Sequence, residues 1–203
     1  HIPAIMNVWF AGSETGDAIC DVLFGDKVPT GKTVNSFPQN VGQLPLYYNH
    51  MNTGRPVPEG TDRFFKYQSN YMDVRNDALY PFGYGLSYTK FEYGKMSVRV
   101  DGRKVLATVK VTNTGNYDSY EVVQCYIHDL VCRYSRPIKE LKGFSRIFLK
   151  KGESREVEFA ITAQDLSFFD DKKHEWVAEP GDFDIAIGSS SADIRAKVRV
   201  TLK

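Results

Sequence analysis

The chain has 203 residues, room for one large domain or two small ones. With 26 Lys and Arg against 25 Asp and Glu it carries a net charge of +1 spread over both halves, which argues against a nucleic-acid or anionic-membrane partner. At 42% hydrophobic and 13% aromatic it can bury a core, while its apolar runs, such as Val22-Leu23-Phe24, fall far short of the roughly 20 residues of a spanning helix.

The chain opens on His1 without a leader pattern, so it reads as a processed or cut chain. From Pro3 to Phe10 an apolar run predicts a buried strand, and Ala11-Gly12-Ser13 a turn. A helix follows. Ser13 or Thr15 can cap it, Glu14 and Asp17 suit its positive end, Ala18, Ile19, Val22 and Leu23 recur at helical spacing, and Gly25 stops it. GDKVPTGK then supplies turn chemistry and TVNSF a short extended piece, completing a strand-helix-strand unit. Such a unit buries too little surface to stand alone, so residues 1–45 read as the end of a larger α/β domain. Residues 46–92 follow as a connecting loop and junction, rich in Tyr, Asn, Gly, Pro and charge.

From residue 93 to 203 the period is two. Val105, Ala107, Val109 and Val111 alternate with Leu106, Thr108 and Lys110, and Val157, Phe159 and Ile161 with Glu156, Glu158 and Ala160. Phe183, Ile185 and Ile187 alternate with Asp182 and Asp184, and Ala196, Val198 and Val200 with a basic solvent face. Turn signals at Asp101-Gly102, Thr114-Gly115-Asn116, Lys151-Gly152 and Pro180-Gly181 divide the segment into strands near 95–100, 103–113, 120–129, 139–149, 153–161, 182–188 and 194–202. Residues 164–170 read as a helical turn and 174–178 as an edge piece. The fold class is mainly β: an immunoglobulin or fibronectin type III-like sandwich, preceded by a partial α/β segment and a long linker loop.

No nucleophile elbow, phosphate loop, HExxH or EF-hand occurs, and His1, His50, His128 and His174 lack metal-ligand spacing, so neither a metal nor another cofactor is expected. Cys20, Cys125 and Cys132 make no CxxC pair; packing is their expected role, although a Cys125–Cys132 bridge is geometrically conceivable. Gly83 and Gly85 lack the third glycine and following helix of a dinucleotide fingerprint and read as tight bends. Glycoside hydrolysis needs two carboxylates, for which Glu14, Asp17, Asp21, Asp62 and Asp73 are available. Glu14 fits helix-start stabilisation better than catalysis, and Asp17, Asp21 and Asp62 read as solvated charge. Aromatic residues crowd the loop, among them Tyr47, Tyr48, Phe64, Tyr71, Phe82 and Tyr84; an interface explains them better than sugar stacking.

The run from Trp9 to Pro56, with W-x-x-G-x-E-x-G, D-V-L-F-G-D, P-x-G-K and S-F-P, resembles the tail of the α/β sandwich domain of glycoside hydrolase family 3, of the periplasmic β-glucosidase type. Tyr80-Pro-Phe-Gly-Tyr-Gly-Leu-Ser-Tyr-Thr89 resembles that family's junction into a fibronectin type III-like domain, as do VTNTG at 111–115, SRPIKELKGFSRIFLKKGES at 135–154, LSFFD at 166–170 and AEPGDFDIAIGSSS at 178–191 inside it. The resemblance implies a parent enzyme that hydrolyses terminal β-D-glucosyl residues with retention, periplasmic or secreted, acting on β-glucosides or oligosaccharides. It places the nucleophilic Asp in a (β/α)8 barrel and the acid/base Glu upstream of the Trp9 motif, so no residue here is expected to be catalytic and this chain alone is expected to be inactive. Relatives usually carry Arg where this chain has Asn70, before Tyr71-Met72-Asp73.

The expected substrate contacts in the intact enzyme are Trp9, His50, Asn52 and Arg55: Trp9 at a strand end, the others on the HMNTGRP run, where Gly54 and Pro56 permit a sharp reach. Plain stitching of two domains is the rival account of that loop. A non-catalytic carbohydrate-binding or adhesion module is the rival for the whole chain. Self-association through the N-terminal segment is expected if its apolar face lies open.

Overall fold

A computed structural model describes residues 2, 4–58, 60–102 and 104–202. Strands β1 (Phe91–Tyr93), β2 (Ser97–Asp101), β3 (Lys104–Asn113), β4 (Ser119–Asp129), β5 (Glu140–Leu149) and β6 (Ser154–Ile161) come first; β7 (Phe168–Asp170), β8 (Glu175–Val177), β9 (Gly181–Gly188) and β10 (Ile194–Leu202) follow. All pairings among them are antiparallel. One sheet sets β1 and β2 end to end along one edge of β3, with β6 along the other. The other sheet runs β10-β9-β4-β5. Two such sheets face to face are the fibronectin type III-like sandwich that the alternation predicts.

The core lies between the sheets. Val105, Ala107, Val109 and Val111 of β3 meet Val123, Cys125 and Ile127 of β4, Val157, Phe159 and Ile161 of β6, and Phe183, Ile185 and Ile187 of β9. Period two puts these side chains on one face of each strand, and β-branched residues fit that half-buried pleat. Asn113 closes β3 without an orphaned polar atom. Fully buried, it donates to Tyr117 O (2.8 Å) and Leu149 O (3.0 Å) and accepts from Thr89 Oγ1 (2.7 Å) and Gly115 N (3.2 Å). Four bonds saturate one amide, which accounts for asparagine in the VTNTG turn.

Several details depart from expectation. The helical turn is shorter than 164–170: helix α2 (Ala163–Leu166) carries a capping box between Thr162 and Asp165, and the chain then turns extended as β7. The edge piece at 175–177 pairs with β7 as a two-stranded hairpin. Asp184, expected on the solvent face, is buried, because Lys197 (2.8 Å) and Arg199 (2.8 Å) on neighbouring β10 fold over it. All three cysteines are free; Cys125 is buried in the core, and burial pushes its thiol pKa up to about 12.

Before the sandwich only the helix of the predicted strand-helix-strand unit is regular. It is α1 (Thr15–Phe24), ending at Gly25 in the left-handed region at φ 89°. Neither Ser13 nor Thr15 caps it: Glu14 occupies the N-cap position without a capping bond, and the Thr15 hydroxyl donates to Gly12 O. Residues 4–10 form no strand, since no described segment offers them a ladder, and TVNSF makes one isolated bridge, Phe37 to Tyr80. His1 and Pro3 lie outside the described residues. The helix buries no residue, and Ile5, Trp9, Phe10, Leu23 and Phe24 are all exposed.

Candidate functional site

Among the described residues of 25–90 there is no strand, yet their backbone is well partnered. Thr33 N donates to Tyr84 O (2.7 Å), Gly83 N to Thr33 O (2.8 Å), Phe37 N to Tyr80 O (2.8 Å) and Leu79 N to Phe37 O (2.8 Å). These bonds zip residues 33–37 to the junction segment 79–84. The junction in turn lies on the outer face of β4. Gln124, buried, donates to Gly83 O (3.1 Å) and Ser189 O (2.7 Å) and accepts from Tyr126 Oη (2.5 Å). Gly83 has φ 79°, and a Cβ there would strike the Gln124 amide; one at Gly85 would strike Gly31 O. Both glycines of the junction therefore serve close approach and not a nucleotide.

The aromatic cluster is an interface in part: Tyr48, Tyr80, Phe82 and Tyr84 pack, while Tyr47, Phe64, Tyr67, Tyr71 and Tyr88 are exposed. Tyr48 stacks on Phe82 with centroids 4.2 Å apart and meets the edge of Tyr126 at 6.0 Å, while its hydroxyl accepts from Leu141 N (3.3 Å). Tyr80 stacks on Tyr84 and meets Phe37 edge-on. Nearby, Glu121 of β4 is nearly sealed from solvent. It accepts from Tyr93 Oη (3.0 Å) and faces Lys32 Nζ at 3.7 Å, while Lys32 also donates to Gly85 O (3.0 Å). Burial raises the Glu121 pKa, opposed by the Lys32 charge and by the Tyr93 and Lys32 hydrogen bonds. Burial also raises the Tyr93 pKa, with the Glu121 charge adding to it.

The expected contact residues fall in two places. Trp9 is exposed at φ 48°, its N–H on Asn7 Oδ1 (3.2 Å) and its ring 6.2 Å from Phe37. His50 is clamped to the sandwich: its carbonyl accepts from Ile138 N (3.0 Å), Nδ1 lies 2.9 Å from Met51 O, and Met51 bridges Pro137. Asn52 is exposed on the same run, and the Arg55 carbonyl accepts from Ser69 N (2.9 Å) while its guanidinium reaches Tyr67 O at 3.4 Å. His50, Asn52 and Arg55 thus share one exposed run. No described hydrogen bond or ring contact joins them to Trp9.

Beyond Arg55 the loop folds back on itself around a cleft of about 410 Å3, lined by residues of 57–64 and 70–76 together with Gln39. Asp62, Phe64, Tyr71 and Asp73 line it, a grouping that charge and period do not reveal; the available signal was Asn70 and Asn76, turn-forming amides that bend the loop shut. Among the described residues no three His, Cys, Asp or Glu side chains are grouped to hold a metal ion.

Residues 1–88 match the glycosyl hydrolase family 3 C-terminal domain, and residues 121–191 match the fibronectin type III-like domain. The chain belongs to glycoside hydrolase family 3. This family 3 chain is 48% identical over 198 residues to the periplasmic β-glucosidase of Salmonella typhimurium, an alignment covering 95% of the chain and 25% of that protein. It is 40% identical over 209 residues to a β-xylosidase of Formosa agariphila, covering 100% of the chain and 27% of that protein. Among solved structures, a mutant β-glucosidase of Listeria innocua in complex with laminaribiose superposes with a TM-score of 0.90 at 38% identity, over 97% of the chain and 27% of that structure. The chain spans about a quarter of the length of the relatives it matches.

Proposed function

We propose that the chain is the C-terminal scaffold of a retaining β-glucosidase that removes terminal β-D-glucosyl residues from β-glucosides or oligosaccharides in the periplasm or outside the cell. The observation that carries this reading is the 48% identity to a periplasmic β-glucosidase across 95% of the chain. The geometry supports a scaffold role. The 33–37 and 79–84 zipper, with Gln124 and Glu121 beneath it, fixes the segment before the sandwich to the sandwich itself through buried polar contacts. Asp62 and Asp73 line one cleft, but the family resemblance places both the acid and the nucleophile elsewhere. In this reading residues 1–45 complete an α/β domain, 46–92 connect it and 93–203 form the second domain.

Within that enzyme, Trp9, His50, Asn52 and Arg55 contribute substrate contacts. A chimera tests both levels. Replacing the matching quarter of the Salmonella relative with this chain is expected to preserve turnover of an aryl β-glucoside, while the chain alone shows none. A folded chimera without activity, or turnover by the chain alone, would refute the scaffold reading. In the chimera, Arg55→Ala or Trp9→Ala is expected to raise KM for longer glucosides with kcat unchanged, the signature of lost uniform binding. Unchanged kinetics would remove these residues from the substrate path.

A further inference from the structure

We propose that Glu121 and Lys32 form a proton-linked latch: the strap at residues 31–33 seats on the mouth of the sandwich with uptake of a proton by Glu121, and lifts more readily as pH rises.

The latch stands at the end of the core. Glu121 shares the inward face of β4 with Val123, Cys125 and Ile127 and lies opposite Ile147 of β5, so an acid occupies a position that alternation reserves for an apolar side chain. Its side chain is 5% exposed. Lys32 is the cover. Its stem lies against Gly85, its ammonium donates to Gly85 O (3.0 Å), and the side chain is itself 15% exposed. The next residue, Thr33, is zipped to Gly83 and Tyr84, so lifting the strap opens that zipper.

The groups around Glu121 compensate a charge there incompletely. Tyr93 Oη of β1 donates to Oε1 (3.0 Å), and Lys32 Nζ stands 3.7 Å from the same oxygen; among the described residues Oε2 receives no hydrogen bond. An ionised carboxylate has about four acceptor sites to fill. Arg195 of β10, whose guanidinium lies 6.0 Å from the centre of the Tyr93 ring, is the other nearby cation. It pairs with Asp193 at 2.7 Å, and Asp193 also accepts from Ser189 Oγ (2.7 Å). Sealing from water disfavours the charged carboxyl and the Lys32 charge favours it. The first effect is the larger, and the Glu121 pKa stands above its ordinary value. A neutral Glu121 keeps the Tyr93 bond without the desolvation cost of the anion.

When the strap lifts, water reaches the carboxyl and its pKa returns towards the ordinary value of about 4.3. The closed state therefore holds the proton more tightly than the open one. The advantage that Glu121 gives to closure is full below a pH of about 4 and is lost as pH rises through the closed-state value.

Two measurements on this chain test the latch, and neither depends on the β-glucosidase reading. The carboxyl-carbon NMR signal of Glu121 is expected to titrate above about 4.3, and higher still in Lys32→Met, which keeps the stem and removes the charge. Amide exchange at Thr33 and Gly83, corrected for intrinsic rates, is expected to lose protection as pH rises, about tenfold for each unit by which the closed-state midpoint exceeds the open-state value. Glu121→Gln is expected to abolish that pH dependence; should it not fold, the carboxyl titration and the exchange of the unmodified chain decide alone. A Glu121 midpoint at or below about 4.3, protection that rises with pH as a dominant ion pair demands, or the same pH dependence in Glu121→Gln would overturn the proposal.

Discussion

Substitution of Gly83 by alanine tests whether the junction is locked to the sandwich or merely rests on it. Two costs combine at this position. The backbone sits at φ 79°, where a Cβ costs about 1–2 kcal/mol. The added methyl would also displace the Gln124 side chain, which is buried and holds Gly83 O, Ser189 O and Tyr126 Oη together. Leaving buried polar groups without partners costs about 1–3 kcal/mol. The sum, about 2–5 kcal/mol, is a large share of a typical stability of about 5–15 kcal/mol. For a chain of this size each kcal/mol lowers Tm by about 2–4 °C, so a fall of about 10 °C is expected. Gly102→Ala is the control, because Gly102 has φ 59° but nothing within 4 Å of an added Cβ. It isolates backbone strain and should lower Tm by only about 2–8 °C. Calorimetric melting of the two variants side by side decides the matter. If Gly83→Ala melts within the range of Gly102→Ala, the Gln124 lock contributes nothing and the argument fails.

Asp184 is held down to about 2 by hydrogen bonds from Arg199 and Lys197 on β10, against an unfolded value near 3.9. Its stabilisation is full above pH about 4 and is lost as pH falls towards about 2; with both partners more than half exposed it amounts to about 1 kcal/mol. Asp184→Asn should therefore melt below the parent at pH 7, and the gap should close by pH 2 in a melting series; a gap independent of pH would refute the pairing. In thiol labelling, exposed Cys20 should react first and Cys125 only on unfolding, since the core both covers that thiol and raises its pKa to about 12; early labelling of Cys125 would place it outside the core. The open apolar side chains of residues 5–24 should bind a hydrophobic dye and drive self-association in light scattering; a strict monomer that binds no dye would contradict that exposure.

Strands were legible wherever one face is buried and the other wet, as in β3, where every second residue from Val105 to Val111 is sealed. The run at 4–10 misled, because apolar composition signals burial against something without saying that the partner is present. Polar locks were harder still. Lys32 and Glu121, or Gly83 and Gln124, are joined by bonds between distant segments, and no local period records such a pairing. Yet β4 does carry a trace of its cover. From Val123 to Ile127 every residue is buried, including Gln124 and Tyr126, which alternation assigns to the outer face. A strand buried on both faces needs a layer on each side. The sandwich supplies one; the other is the aromatic junction, with Tyr48 and Phe82 over Tyr126 and Gly83 over Gln124. The buried run Val123–Ile127 thus requires that some part of the long loop lie on the outer face of β4, and Gln124 and Tyr126 mark where its polar contacts fall.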